Sequence, residues 1–138
     1  MKLLSQEMVD EMLKRAEEPE VQAKFKGLTI RLILVGTDCP ENEDRQVALT
    51  IADGKFGDVQ VEVQPTPGDM RTVPFDKTKY DAKITMPYAP LCDLIQEKMS
   101  MVEALPHVKI EGDLPKLMTQ VEGFIALLQF IGSLPIEY

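Results

Sequence analysis

The chain offers few residues for catalysis or metal binding. It contains one histidine, His107, and two cysteines, Cys39 and Cys92, which are well separated in sequence. A zinc site needs three or four ligands, usually at short local spacings, and a nucleophilic thiol needs a base beside it. By alternation, His107 falls on the solvent side of a predicted strand. The sequence therefore predicts no catalytic residue and no metal site.

A phosphate-binding loop and a carboxylate pair are two further routes to chemistry. The sequence has no Gly-rich loop of the Walker or dinucleotide-binding type. Its 23 Asp and Glu residues fall mostly on predicted solvent faces. We therefore expect no cofactor and no enzyme activity. A catalytic site that folding assembles from distant carboxylates stays an open alternative.

Charge and hydropathy restrict the partners and the location. The formal net charge is −8, and nucleic acids and anionic membranes attract proteins through Lys and Arg, so we expect neither as a partner. The longest apolar run, residues 123–136, is shorter than the roughly 20 residues that span a bilayer, and the N-terminal residues lack a signal-peptide apolar region. With Cys39 and Cys92 as free thiols, we expect a cytoplasmic protein without stable membrane insertion.

A length of 138 residues predicts a single domain over residues 1–138, and the periodicity of apolar residues predicts its elements. Ser5 is a candidate N-cap for a first helix, and Pro19 begins a second helix that Gly27 ends. Asp53-Gly54 predicts a tight hairpin turn. Alternating apolar residues predict five strands, at residues 28–34, 46–51, 58–63, 82–86 and 108–111.

The remaining segments are predicted loops and helices. Residues 36–45 and the Pro-rich residues 65–77 are predicted to be loops. A helix after Pro87 would place Leu91, Leu94, Ile95 and Val102 on one face, and Asp113 would cap the last helix. The fold class is therefore α+β in two layers: a five-stranded, mainly antiparallel sheet with helices on one face and solvent on the other.

The last helix has apolar residues on two sides. At 100° per residue an inner stripe faces the sheet, while Leu127, Phe130 and Ile131 fall on the outer side. A helix that is apolar on both sides must be buried on both sides, so we expect the outer residues to form a lid or a dimer contact. The chain also has eight Met residues, whose flexible side chains suit irregular apolar surfaces as well as ordinary cores.

Three segments together carry a resemblance to a known family: "ALTIADGKFGDVQVEV", "DAKITMPYAPLCDLIQEKMSMVEA" and "HVKIEGDLPKLMTQ". In their order they resemble the sterol carrier protein 2 lipid-transfer domain, over residues 26–120. The resemblance implies helices on one face of a five-stranded sheet, enclosing an apolar tunnel for fatty acids, acyl chains or sterols. The chain departs from the family in the acidic connection "QEKMSMVEALP" and in the length of the loop at residues 65–77.

These observations predict a non-catalytic protein that binds, and in one version transfers, a fatty acid, a fatty acyl-CoA or a sterol-like molecule. The site would be an apolar cavity of about 300 to 1,000 Å³. An interaction subunit of a lipid-metabolising enzyme, with the cavity filled by its own side chains, is the alternative, and a homodimer stays open. The residues predicted to line the cavity are Met86, Leu91, Leu94, Ile95, Met99, Met101, Val102, Ile110, Leu117, Met118, Val121, Phe124, Ile125 and Leu128.

Overall fold

Five strands form one mixed sheet in a computed structural model that describes residues 1–138. The strands lie side by side in the order β3-β2-β1-β4-β5. Only β1 and β4 pair in parallel, so the sheet is mainly antiparallel, as the sequence predicted. The strands are β1 Ile30–Cys39, β2 Glu43–Ala52, β3 Lys55–Pro65, β4 Ala82–Pro87 and β5 Lys109–Gly112.

Six helices accompany the sheet, and two of them begin at the predicted caps. The Ser5 hydroxyl accepts a hydrogen bond from the Met8 N–H at 3.1 Å, and the Asp113 carboxylate accepts one from the Lys116 N–H at 3.2 Å. No helix has the length and hydrophobicity needed to span a bilayer. The helices are α1 Gln6–Arg15, α2 Pro19–Phe25, α3 Tyr88–Ile95, α4 Met101–Ala104, α5 Leu114–Thr119 and α6 Val121–Gly132.

Of the two hairpins in the sheet, the turn between β2 and β3 was predicted from local sequence, whereas the ends of β1 and β2 were not. Asp53 and Gly54 adopt the positive φ angles of 48° and 80° that the predicted turn requires. The predicted loop at residues 36–45 is mostly wrong, because β1 continues to Cys39 and β2 begins at Glu43. These strand ends carry polar side chains, which do not follow the apolar alternation. Asp44 and Arg45 are buried, and both side chains form hydrogen bonds within the protein.

The helix predicted after Pro87 is broken into two. α3 ends at Ile95, and Glu97 adopts a left-handed φ of 60° that interrupts the helix. Ser100 starts α4 with a capping box, in which its hydroxyl accepts from the Glu103 N–H and its own N–H donates to the Glu103 carboxylate. The predicted shared face is therefore wrong for Val102, which is 76% exposed. His107 ends a short 3-10 helix, Leu105–His107, and is exposed there instead of on a strand.

The last predicted helix is also broken, and this changes which of its sides is buried. The break falls at Gln120, between α5 and α6. In α6, Leu127, Phe130 and Ile131 lie in the main core with at most 4% of their surface exposed, and the Phe130 ring packs edge-to-face on Phe25. The predicted outer position of these three residues is wrong, since α6 is buried between the sheet, α2 and α3. They therefore present neither a surface lid nor a dimer contact.

The predicted solvent face of the sheet is partly covered. Residues 66–80 fold back over it, and a second apolar cluster forms beneath them, made of Ile33, Val35, Ala48, Met70 and Tyr80. The prediction that apolar strand residues lie on one face only is therefore wrong, since Ile33, Val35 and Ala48 face the covering segment.

Two buried charged side chains hold residues 66–80, the covering segment, against the sheet. The Lys83 ammonium donates to the Val73 carbonyl at 3.0 Å and to the Met70 carbonyl, and its burial lowers the pKa of Lys83. Asp44 accepts from the Gly68 N–H at 2.8 Å and from the Arg71 guanidinium at 2.6 Å. Burial by itself would raise the pKa of Asp44, but the hydrogen bonds from Arg71 and Gly68 outweigh it and hold the pKa well below its usual range.

We expect Asp44→Asn to destabilise the fold by about 3 kcal/mol at pH 7, because it leaves Arg71 without its buried partner. A carboxyl with a depressed folded-state pKa stabilises the protein above its unfolded pKa of about 4, and this stabilisation is lost as the pH falls through the folded-state value. The variant should therefore lose less stability than the wild type between about pH 5 and pH 2. Urea unfolding across this range measures both effects.

Asp58→Asn is the matched control, because it breaks an exposed ion pair with Lys79. This variant should lose no more than about 1 kcal/mol. Equal stability losses in the two variants would contradict the anchoring role of Asp44.

Candidate ligand-binding site

An apolar cavity of about 150 Å³ lies between the β4-β5 edge of the sheet and the helices α4, α5 and α6. All of its lining residues are hydrophobic. Eight of them were predicted from sequence: Met86, Leu94, Met101, Ile110, Leu117, Met118, Val121 and Phe124. The other four are Ile84, Ala104, Leu105 and Val108.

Strand register and helix breaks bring these residues together. Ile84 of β4 lies directly opposite Ile110 of β5, so both strands contribute an apolar side chain to the same wall. Ala104, which is 2% exposed, closes the cavity from α4. The break at Gln120 allows Leu117 of α5 and Phe124 of α6 to line the same space from two helices.

A second, more polar pocket adjoins the cavity. Its volume is about 410 Å³, and Leu94 and Met101 belong to the walls of both spaces. The apolar part of its lining continues along Ile95, Met99, Ile125 and Leu128. The polar part consists of Glu97, Lys98, Ser100, Glu103 and Gln129.

Exposed apolar side chains concentrate around these two pockets. Of the ten large hydrophobic side chains that stay exposed, seven lie between α4 and α6. Met118 is the most exposed of those that line the cavity, at 69%. Contiguous exposed apolar patches on proteins tend to mark sites that bind a ligand or a partner. The seven residues are Met101, Val102, Leu105, Ile110, Leu114, Met118 and Ile125.

Twelve of the fourteen predicted lining residues lie in the wall of one or both pockets. Leu91 is fully buried in the core, and Val102 points to solvent. Ile84 could have been predicted, because it lies on the same face of β4 as Met86. Ala104 and Leu105 could not, because they fall in the predicted connection, where no apolar periodicity marks them. Whether any of these residues binds a ligand stays a prediction.

The predicted cavity volume is wrong. The apolar cavity is smaller than the expected range, and Ala104 and Leu105, which follow the break in the predicted helix, form part of its wall. The structure shows this cavity and its polar neighbour as two spaces with a common wall, and it does not show an open tunnel.

Other reactive groups are buried apart from these pockets. Cys39 and Cys92 are free thiols, and burial raises the pKa of Cys39 to about 11 and also raises that of Cys92. Both are therefore protonated near neutral pH and poor nucleophiles. No group of three or more His, Cys, Asp or Glu side chains is arranged to hold a metal ion.

Comparison with known proteins supports the fold. No protein-family model and no curated protein matches the chain. The crystal structure of sterol carrier protein 2 superposes with a TM-score of 0.69 and 13% identity, over 96% of this chain and 99% of that one. A protein from Thermus thermophilus, described as a candidate sterol carrier protein, gives a TM-score of 0.60 and 14% identity, over 98% and 93% of the two chains. The chain therefore has the sterol carrier protein 2 fold.

We expect the 150 Å³ cavity to take up xenon, because dry apolar cavities of about this size bind xenon or benzene. Xenon should shift the methyl NMR resonances of Ile84, Val108 and Leu117. The methyl groups of Val35, which is fully buried in the second apolar cluster, serve as controls in the same spectrum and should not shift. Unchanged resonances for the lining residues would show that side chains fill the cavity in solution.

Proposed function

We propose that the protein binds a hydrophobic small molecule, such as a fatty acid, a fatty acyl-CoA or a sterol-like lipid, without catalysing a reaction on it. One observation carries this proposal: a wholly apolar cavity opens at side chains that are themselves apolar and exposed, Met101, Leu105 and Met118. A cavity of this kind removes hydrocarbon from water without offering it a reactive group. The likeness to two structures described as sterol carriers supports the same function.

Enlargement of the site is required for a ligand of lipid size. The cavity is smaller than the roughly 300 Å³ at which small-molecule sites usually begin. In the segment 100–107, only Ala104 is buried, so few contacts hold this segment in place. Movement of Met101, which lies in both walls, would join the apolar cavity to the neighbouring pocket. Met side chains suit this movement, because they are flexible and unbranched.

The energy of burial is sufficient for useful affinity. Each buried methylene contributes about 0.8 kcal/mol, so a chain of about 12 methylenes gains on the order of 10 kcal/mol before costs. Association costs at least about 4 kcal/mol in lost translational and rotational freedom. The difference corresponds to a dissociation constant in the micromolar range or weaker, which suits a protein that must also release its ligand.

The second candidate is an interaction subunit of a lipid-metabolising enzyme. The small size of the cavity favours it, as does the exposure of Val102 and Leu114, which lie beside the pockets without lining them. In this case the apolar patch would contact a protein partner. Native mass spectrometry of the purified protein separates the two functions, since only a lipid-binding protein should retain a co-purifying lipid.

We expect Met118→Asp to weaken the binding of Nile red, a hydrophobic fluorescent dye, by at least about tenfold, or about 1.4 kcal/mol. The substitution places a charge at the cavity mouth, where a bound apolar ligand would remove it from water. Met118 is largely exposed, so the fold should tolerate the change. Fluorescence titration gives the affinity, and thermal unfolding checks the fold.

Val102→Asp is the matched control, since it adds the same charge to the same patch at a residue that lines neither pocket. It should bind the dye as the wild type does. Wild-type affinity in both variants would place the dye outside the cavity and the patch, and an equal loss in both would indicate binding to the surface patch.

A further inference from the structure

The polar pocket beside the cavity has the chemistry of a site for a ligand's head group. It shares Leu94 and Met101 with the apolar cavity, so a molecule that passes this common wall would have one end in each space. One end would contact only hydrocarbon, and the other would meet five polar side chains. This division matches an amphiphile with one hydrocarbon tail and one polar head.

The charges in the polar pocket are predominantly negative. Glu103 is held in place by the Ser100 N–H at 3.1 Å, and this hydrogen bond lowers the pKa of Glu103 and keeps it ionised. Glu97 forms no ion pair, and neither does Lys98, the pocket's single cation. Two carboxylates against one ammonium disfavour an anionic head group, and the net charge of the whole chain acts in the same direction.

Uncharged hydrogen-bonding groups are nevertheless available there. The Gln129 side-chain amide is exposed and forms no hydrogen bond within the protein, so it can both donate and accept. The Ser100 hydroxyl oxygen accepts from the Glu103 N–H at 3.1 Å, which leaves its O–H free to donate. A cationic head would be attracted by the two carboxylates and repelled by Lys98, whereas a hydroxyl head meets no charge penalty from either sign and can use these uncharged groups directly.

We infer that the polar pocket rejects an anionic head and takes an amphiphile with an uncharged, hydrogen-bonding head, such as an alcohol, whose hydrocarbon tail occupies the apolar cavity. This inference rests on the proposed function, and it narrows the ligand class within that function. Glu97 and Glu103 act as specificity residues that reject carboxylate and phosphate heads. Long-chain alcohols are accordingly preferred over fatty acids and acyl-CoA esters.

The test compares 1-decanol with decanoate, which have the same chain length and different heads, as competitors for bound Nile red at pH 7. The wild type should bind 1-decanol at least about fivefold more tightly, the factor expected for one like charge at close range in water. In the double variant Glu97→Gln, Glu103→Gln, decanoate binding should improve about fivefold and 1-decanol binding should stay unchanged. Gln at position 103 preserves the capping box, since its side-chain oxygen also accepts a hydrogen bond.

The pair Glu7→Gln, Glu20→Gln is the control, because it removes two exposed carboxylates from α1 and α2, and neither lines the polar pocket. It should change neither affinity. Glu97→Gln alone, which leaves the α4 cap intact, keeps the test decisive if the double variant unfolds, and decanoate should then gain about twofold.

Each remaining outcome overturns the inference. Decanoate binding as tight as 1-decanol binding in the wild type would show that the pocket does not reject anions. An equal gain for decanoate in the control pair would assign the effect to net charge and not to the pocket. In both cases the proposed lipid-binding function would stand. Failure of both compounds, and of Nile red itself, to bind would instead overturn the proposed function, and the head-group preference with it.

Discussion

The hydrogen bonds of one buried glutamine determine how the C-terminal helices meet the sheet. The Gln120 side-chain oxygen accepts from the Arg31 N–H of β1 at 3.1 Å, and its amide donates to the Asp81 carboxylate at 2.7 Å. These bonds hold the break between α5 and α6 against the sheet. α6 then lies in the core, while α5 keeps Leu114 and Met118 exposed beside the cavity. The apolar site therefore depends on a polar contact that lies outside it.

Local sequence determinants were sufficient for much of the fold. Ser5, Asp113 and the Asp53-Gly54 turn were predicted correctly, because each acts on backbone groups within three residues of itself. The strand order cannot be obtained this way, since it depends on which distant strands pair. The errors have the same origin: Gln120 bonds to a residue 89 positions away, and the charges of Lys83 and Asp44 are buried by a loop whose path the sequence does not reveal.

The sequence predicted the residues that line the candidate site better than it predicted the volume of the site. Apolar periodicity identified most of the lining residues, because the same side chains that face a sheet also face any space left above it. It could not give the volume, which depends on where the helices break. Positions such as Glu97 and Ser100 control these breaks through backbone conformation and capping, and their effect on the cavity appears only when the whole fold is present.

The placement of the cavity at the edge of the sheet has a mechanical consequence. β5 has four residues and pairs only with β4, whereas β1 pairs with a strand on each side, β2 and β4. Edge segments with few hydrogen bonds open at a lower free energy than the centre of a sheet. The Val108 and Ile110 side of the cavity can therefore fluctuate while the central strands stay paired. This flexibility is local, so one wall of the cavity can open without loosening the rest of the molecule.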